Sequence, residues 1–219
     1  MIRHRLFVFV VGLMGSIGMH DGSVASAREL DCLIEPFVVV TVSSPDIGLL
    51  EKVAVDRGDI VAEGQVIAVL DSHVETATSA VEHARARLTN DRLADLELRK
   101  STAELARRTI KSPIPGVVTE RSLSTGEFAK QDPILKIAQL DPLRVEAFAP
   151  VAILGMIKVG DEAQVIPQAP VNGSYAAKVT VVDKVIDAAS GTYGIRLELP
   201  NPEFQLPAGL KCNLHFGEE

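Results

Sequence analysis

The 219-residue chain is predicted to be mainly β, with an antiparallel α-helical hairpin set between two copies of a β unit and a small sandwich or barrel after them. Three observations carry this. A gapless internal repeat relates Ser44–Leu70 to Ser112–Ala138. The segment between the copies contains neither Gly nor Pro and is dominated by Ala, Glu, Arg and Leu. After Leu140-Asp141-Pro142 only short β-type runs remain, punctuated by turn residues.

In chain order, Met1–Arg5 is basic and Leu6–Met19 is an apolar run. Val24-Ala25-Ser26-Ala27 then offers the small residues of an A-x-A cleavage site. The apolar run is shorter than the ~17–25 residues a spanning helix needs. Residues 1–27 therefore read as a signal peptide cleaved before Arg28, the alternative being an anchor that is kept. Residues 28–43, including "CLIEPFVVVTV", read as one strand that joins the later β domain or spans the junction. In an exported chain the two cysteines, Cys32 and Cys212, form a candidate disulfide between the first and last strands. The other reading is two buried thiols acting as small hydrophobes.

The repeat is the strongest signal. "SPDIGLLEKVAVDRGDIVAEGQVIAVL" (44–70) aligns with "SPIPGVVTERSLSTGEFAKQDPILKIA" (112–138) at constant offset. Ser-Pro, Gly48/Gly116 and Gly58/Gly126 coincide, as do Leu49/Val117, Leu50/Val118, Ile60/Phe128, Ile67/Leu135 and Val69/Ile137. Gly58 and Gly126 fit turns that need positive φ. One copy has too little apolar surface to fold alone, so residues 44–71 and 111–140 should pair into one pseudo-symmetric domain.

The insert at 72–110 reads as two helices. Asp71 or Ser72 can cap the first, with Glu75 placed three residues after Ser72. Val74, Ala77, Val81, Ala84 and Leu88 step 3-4-3-4, a heptad stripe suited to packing against another helix. Thr89-Asn90-Asp91 is the expected turn, and a second helix from about Arg92 to Thr109 follows. Since the repeat copies must rejoin, a hairpin is favoured over one continuous helix. Glu82, Arg85, Arg87, Glu97 and Arg99 read as a solvated face.

Composition excludes several functions. A net charge of −7 without a basic block disfavours nucleic acid, and 4 % aromatic residues with no Trp argue against stacking platforms. His73 and His83 are spaced to lie on different faces of the first helix, without a paired ligand motif. There is no G-x-S-x-G, no phosphate-cradling Gly-rich loop and no carboxylate pair placed in a cleft, so an enzyme is not expected. The same pattern implies no cofactor and no metal. A swinging-arm carrier is opposed by the want of a lysine at the repeat's hairpin, where His73, Val74 and Glu75 follow Ser72.

"GLLEKVAVDRGDIVAEGQVIAVLDS", the helical insert, and "RTIKSPIPGVVTERSLSTGEFAKQDPILKIAQLDPLRVEAFAP" together resemble the periplasmic adaptor family. These are the membrane fusion proteins of resistance-nodulation-division efflux pumps and of haemolysin-secretion-type systems. The resemblance implies a split biotinyl/lipoyl-like domain interrupted by a helical hairpin, then a β-barrel over 141–219. It implies a periplasmic, homo-oligomeric subunit linking an inner-membrane transporter to an outer-membrane channel. The hairpin is shorter than in many members, and Arg92 and Leu96 are followed by Ala103 where hairpin tips often carry Ser. Assembly surfaces are expected on the hairpin face (Arg85, Arg92, Arg99) and on the barrel loops. The competing expectation is an exported binding module that captures a small ligand or metal at its barrel.

Overall fold

The computed structural model describes residues 29–89 and 91–217. The signal-peptide reading of residues 1–27 lies outside them, as does Asn90. The order is β1 (Glu29–Ser43), β2 (Gly48–Val53), β3 (Ile60–Val61), β4 (Val66–Leu70), α1 (His73–Thr89), α2 (Arg92–Arg107), β5 (Thr109–Lys111) and β6 (Gly116–Arg121). There follow β7 (Phe128–Ala129), β8 (Pro133–Pro150), a 3-10 turn at Val151–Ile153, β9 (Glu162–Pro167), β10 (Tyr175–Val182), β11 (Thr192–Leu199) and β12 (Lys211–Phe216).

The repeat folds as two interlocked halves. One sheet runs β5-β4-β2-β7, and its sequence-equivalent runs β1-β8-β6-β3. Each half completes the other: Leu49 in β2 pairs with Phe128 in β7, and Val117 in β6 pairs with Ile60 in β3. The turn glycines make the exchange reciprocal. Gly58 N–H donates to Val118 O and Gly126 N–H donates to Leu50 O, each at 2.8 Å. Their φ values of +94° and +89° are ones that L side chains rarely adopt, which is why both copies keep glycine there. The paired Ser-Pro sites match as well, with Ser44 Oγ donating to Asp46 O and Ser112 Oγ to Ile114 O. Leu50, Ile67, Leu70, Val118, Leu135 and Ile137 close the core between the sheets.

The barrel is a closed ring of six strands, β1-β12-β9-β10-β11-β8, with β8 pairing back to β1. Two strands therefore belong to both units. Residues Cys32–Pro36 of β1 pair with β8 inside the barrel, and Val38–Ser43 pair with β8 inside the sandwich. A register shift between Pro36 and Val38 marks the passage, since proline cannot donate to the ladder. Val145, Val165, Val179, Tyr193, Ile195, Leu197 and Leu214 fill the barrel with buried side chains. The interior is therefore a packed core, as expected for so small a barrel.

Tyr193 donates its hydroxyl to Ile153 O at 3.3 Å, and burial raises its pKa above the ordinary tyrosine value. A raised pKa favours the protonated fold. Its contribution is complete below the unfolded value near ~10 and is lost as pH rises through the folded value. Urea titrations at neutral and alkaline pH are expected to show an alkaline loss of stability that Tyr193→Phe reduces. An identical alkaline slope in both proteins would reject the assignment.

Candidate docking surface on the helical hairpin

The hairpin is built from its root upward. Asp71 Oδ1 accepts the His73 N–H at 3.1 Å and so caps α1, while Asp91 Oδ1 accepts the Leu93 N–H at 3.2 Å and caps α2. Glu75 does not close a capping box. Its carboxylate is turned inward onto the Arg108 guanidinium, and the two side chains are only 19 % and 20 % exposed. Arg108 also donates to Ile47 O at 3.2 Å, and Arg107 donates to Asp46 Oδ1 at 2.6 Å and Pro45 O at 3.1 Å. The second helix stops at Arg107 rather than Thr109, because Thr109 opens β5 and Leu70 N–H takes the Arg108 carbonyl at 2.8 Å. Two adjacent arginines in a last helical turn were the legible sign of this latch.

This root sets the rotation of α1, and it overturns one expectation. The face of α1 turned to α2 carries Glu75, Ser79, Glu82 and Ala86; that of α2 carries Ala94, Leu98, Ser101 and Leu105. The heptad stripe is not the seam. Val74, Val81 and Leu88 are 73 %, 64 % and 85 % exposed, and Ala77 and Ala84 lie with them. With 3.6 residues per turn, neighbours in sequence are ~100° apart. Fixing Glu75 on Arg108 therefore sends Val74 outward, and the stripe follows it along the side away from α2. The small Ala94 and Ser101, buried at 2 % and 5 %, allow close helix approach without apolar bulk. Leu93 and Leu96 of α2 are likewise more than half exposed.

The charged side chains divide differently from the expected solvated face. Arg85 crosses to Glu97 at 2.8 Å and also lies 3.9 Å from Glu82, which is turned toward the seam. Arg99 pairs with Asp95 one turn back at 2.9 Å. Of the three arginines singled out from sequence, Arg85 and Arg99 are thus tied into hairpin ion pairs, and Arg92 opens α2. His73 and His83 are exposed on α1. Among the described residues no three His, Cys, Asp or Glu side chains converge on a metal-sized site. Cys32 and Cys212 face each other across β1 and β12, with Cα atoms 4.8 Å apart and sulfurs at 2.07 Å.

Comparison with known proteins adds the lineage. Residues 38–139 match the family model described as CzcB-like, barrel-sandwich hybrid domain, and residues 143–219 match CusB-like, beta-barrel domain. The chain belongs to the membrane fusion protein family. It is 33 % identical over 135 residues to the cation efflux system protein CusB of Escherichia coli K12, a match covering 60 % of this chain and 33 % of CusB. The matched region is thus about a third of the length of such curated relatives.

Two solved structures share the fold. ZneB from Cupriavidus metallidurans has a TM-score of 0.55 at 23 % identity, covering 86 % of this chain and 96 % of its own. The membrane fusion protein Spr0693 from Streptococcus pneumoniae R6 has a TM-score of 0.66 at 17 % identity, covering 87 % and 99 %. In this membrane fusion protein the hairpin falls inside the barrel-sandwich hybrid match, between the two repeat copies.

The latch gives a direct test. Arg108→Ala removes one partner of a largely buried ion pair and leaves the Glu75 carboxylate desolvated, a loss of about 1–3 kcal/mol. Hydrogen exchange at the Leu70 amide and limited proteolysis within α1 are expected to accelerate. Unchanged protection at the root would mean that strand pairing alone holds the hairpin.

Proposed function

We propose that the chain is an adaptor subunit of a cation efflux assembly, acting by docking rather than by catalysis. In this reading it works in the periplasm as a homo-oligomer, beside an inner-membrane transporter of the resistance-nodulation-division type. Its hairpin faces partner subunits or an outer-membrane channel. The observation that carries the proposal is the rigid platform with an outward-facing stripe: interlocked sheets, a root latched by Arg107 and Arg108, and Val74, Val81 and Leu88 left exposed among the described residues. An aliphatic stripe at heptad spacing suits a third helix. The chain's similarity to the cation efflux system protein CusB supports the cation cargo and the efflux setting. The filled barrel supports docking over ligand capture, since its interior holds core side chains. We further propose that Cys32 and Cys212 are joined in the exported protein.

In-cell photo-cross-linking from Leu88 tests the reading. A specific adduct with a membrane transporter, a channel protein or a second copy is expected. Val81→Asp with Leu88→Asp should abolish an adduct captured from Ala84 while changing stability by less than about 0.5 kcal/mol, since both sites are exposed. Capture that persists in this double variant would remove the stripe from the docking surface.

A further inference from the structure

The four asparagines of the chain, Asn90, Asn172, Asn201 and Asn213, stand in unlike settings. Asparagine is a thermolabile residue because its side-chain amide sits one methylene from the main chain. When the nitrogen of the next residue reaches its Cγ, a five-membered ring closes. Closure needs that nitrogen uncrowded and not already donating, and the amide free to turn.

Two of the four are held against it. Asn201 is buried, its Nδ2 donates to Leu140 O and Leu206 O at 3.0 Å each, and its Oδ1 accepts the Leu206 N–H at 3.1 Å. The residue after it is Pro202, which has no N–H to lose. Asn213 lies within β12, where its Nδ2 donates to Glu29 Oε1 at 2.5 Å and the bulky Leu214 follows. Asn90 lies outside the described residues.

Asn172 meets every condition. It sits in the loop between β9 and β10, and Asn172, Gly173 and Ser174 are all exposed. Among the described residues neither the Asn172 side-chain amide nor the Gly173 N–H has a hydrogen-bond partner. Gly173 has no Cβ to crowd its nitrogen, and its φ of +124° keeps glycine there. A Cβ would also come within 3.0 Å of Tyr175 Cε2 and Oη. Val171 and Tyr175 pack against the barrel core and anchor the exposed tripeptide at both ends. The Tyr175 hydroxyl donates to Asn172 O at 3.2 Å. That bond draws electron density out of the Asn172–Gly173 peptide, which makes its N–H easier to deprotonate.

We propose that Asn172-Gly173 is a self-modifying site, at which the protein loses ammonia and gains a carboxylate as it ages. The Gly173 nitrogen gives up its proton and attacks Asn172 Cγ. As the new C–N bond forms, the Cγ–Nδ2 bond breaks, and Nδ2 leaves with its electron pair and that proton as ammonia. Water then adds to one carbonyl of the succinimide and breaks its bond to the Gly173 nitrogen, which takes back a proton. Opening at Cγ leaves aspartate. Opening at the main-chain carbonyl leaves isoaspartate, with the chain running through Cβ. The Tyr175 hydroxyl, resting on that carbonyl's oxygen, stabilises the charge that develops there and favours the second product. Either product adds negative charge to a barrel loop, and isoaspartate inserts a methylene between two anchored residues. The inference is independent of the adaptor reading, because it involves neither the hairpin nor a partner.

The test stores the full chain folded in neutral buffer, beside the same chain unfolded in urea. Peptide mass mapping follows conversion, and isoaspartyl methyltransferase with a labelled methyl donor measures isoaspartate. The peptide holding Asn172 is expected to show the mass increase of an NH2-to-OH exchange, growing with time in the folded protein, while those holding Asn201 and Asn213 stay unchanged. Asn172→Gln should lose the signal, since its longer side chain would have to close a six-membered ring. Tyr175→Phe should slow conversion and lower the isoaspartate share in the folded protein, with no effect in urea. A folded protein that keeps Asn172 intact while the unfolded chain converts overturns the proposal. Conversion of Asn201 or Asn213 as fast as Asn172 overturns it as well, and an unchanged isoaspartate share in Tyr175→Phe removes the hydroxyl from the reaction.

Discussion

Replacing Cys32 and Cys212 together by alanine is expected to lower the unfolding free energy by about 2–5 kcal/mol. The sequence separation is 180 residues, so a cross-link here constrains nearly the whole described chain. Loop-closure entropy for such a length gives an upper value of ~5 kcal/mol, which native strain and residual unfolded structure reduce. The site is a favourable one. Cys32 and Cys212 are directly opposed in register between β1 and β12, and both side chains are buried in the barrel core. Urea unfolding with and without reductant measures the effect, and intact mass in both conditions reports the pairing. The reduced wild-type protein and the double variant should unfold at similar midpoints. A reductant-independent midpoint together with two titratable thiols would show that the cysteines act only as core hydrophobes.

Leu50→Ala is expected to cost about 2–5 kcal/mol, whereas Leu49→Ala should cost less than about 0.5 kcal/mol. The two positions are adjacent in β2, and the pleat points them to opposite faces. Leu50 is fully buried between the interlocked sheets, and Leu49 is 41 % exposed beside Phe128. Truncating Leu50 leaves a cavity lined by both repeat copies, since the core includes Ile67 and Leu70 from one and Val118 and Leu135 from the other. Relaxation into that cavity is limited because the sheets are joined reciprocally at Gly58 and Gly126. Equilibrium urea unfolding of both variants measures the difference. Equal losses would mean that the β2 register differs by one residue from the one described.

These contrasts also separate what was legible in the chain from what was not. The β-rich repeat, its turn glycines and the helical insert follow from local chemistry. Period-2 apolar runs, residues needing positive φ, and a long stretch without Gly or Pro each act over a few residues. That the two copies join in one domain was expected from the repeat, because neither copy alone can cover its own apolar face, whereas the reciprocal β2–β7 and β3–β6 pairing was visible only in the structure. The sharing of β1 and β8 between sandwich and barrel was open from sequence alone. "CLIEPFVVVTV" is compatible with either unit until Pro36 is seen at a register shift.

The hairpin shows the limit most clearly. By itself the sequence determined that two helices exist and that α1 bears an aliphatic stripe at heptad spacing. It did not determine which way that stripe points. Periodicity defines a face relative to the helix, whereas the helix's rotation is fixed by contacts at its root, namely Glu75 on Arg108 and Leu70 N–H on the Arg108 carbonyl. Those partners are far apart in sequence and come together only when β4 and β5 pair. The tertiary structure therefore turned an expected internal seam into an outward surface. It likewise gathered Val151, Leu154, Met156, Val159, Val185 and Ile186, scattered over two loops, onto one rim, since the pairing of β8 with β11 and of β9 with β10 sets those loops side by side.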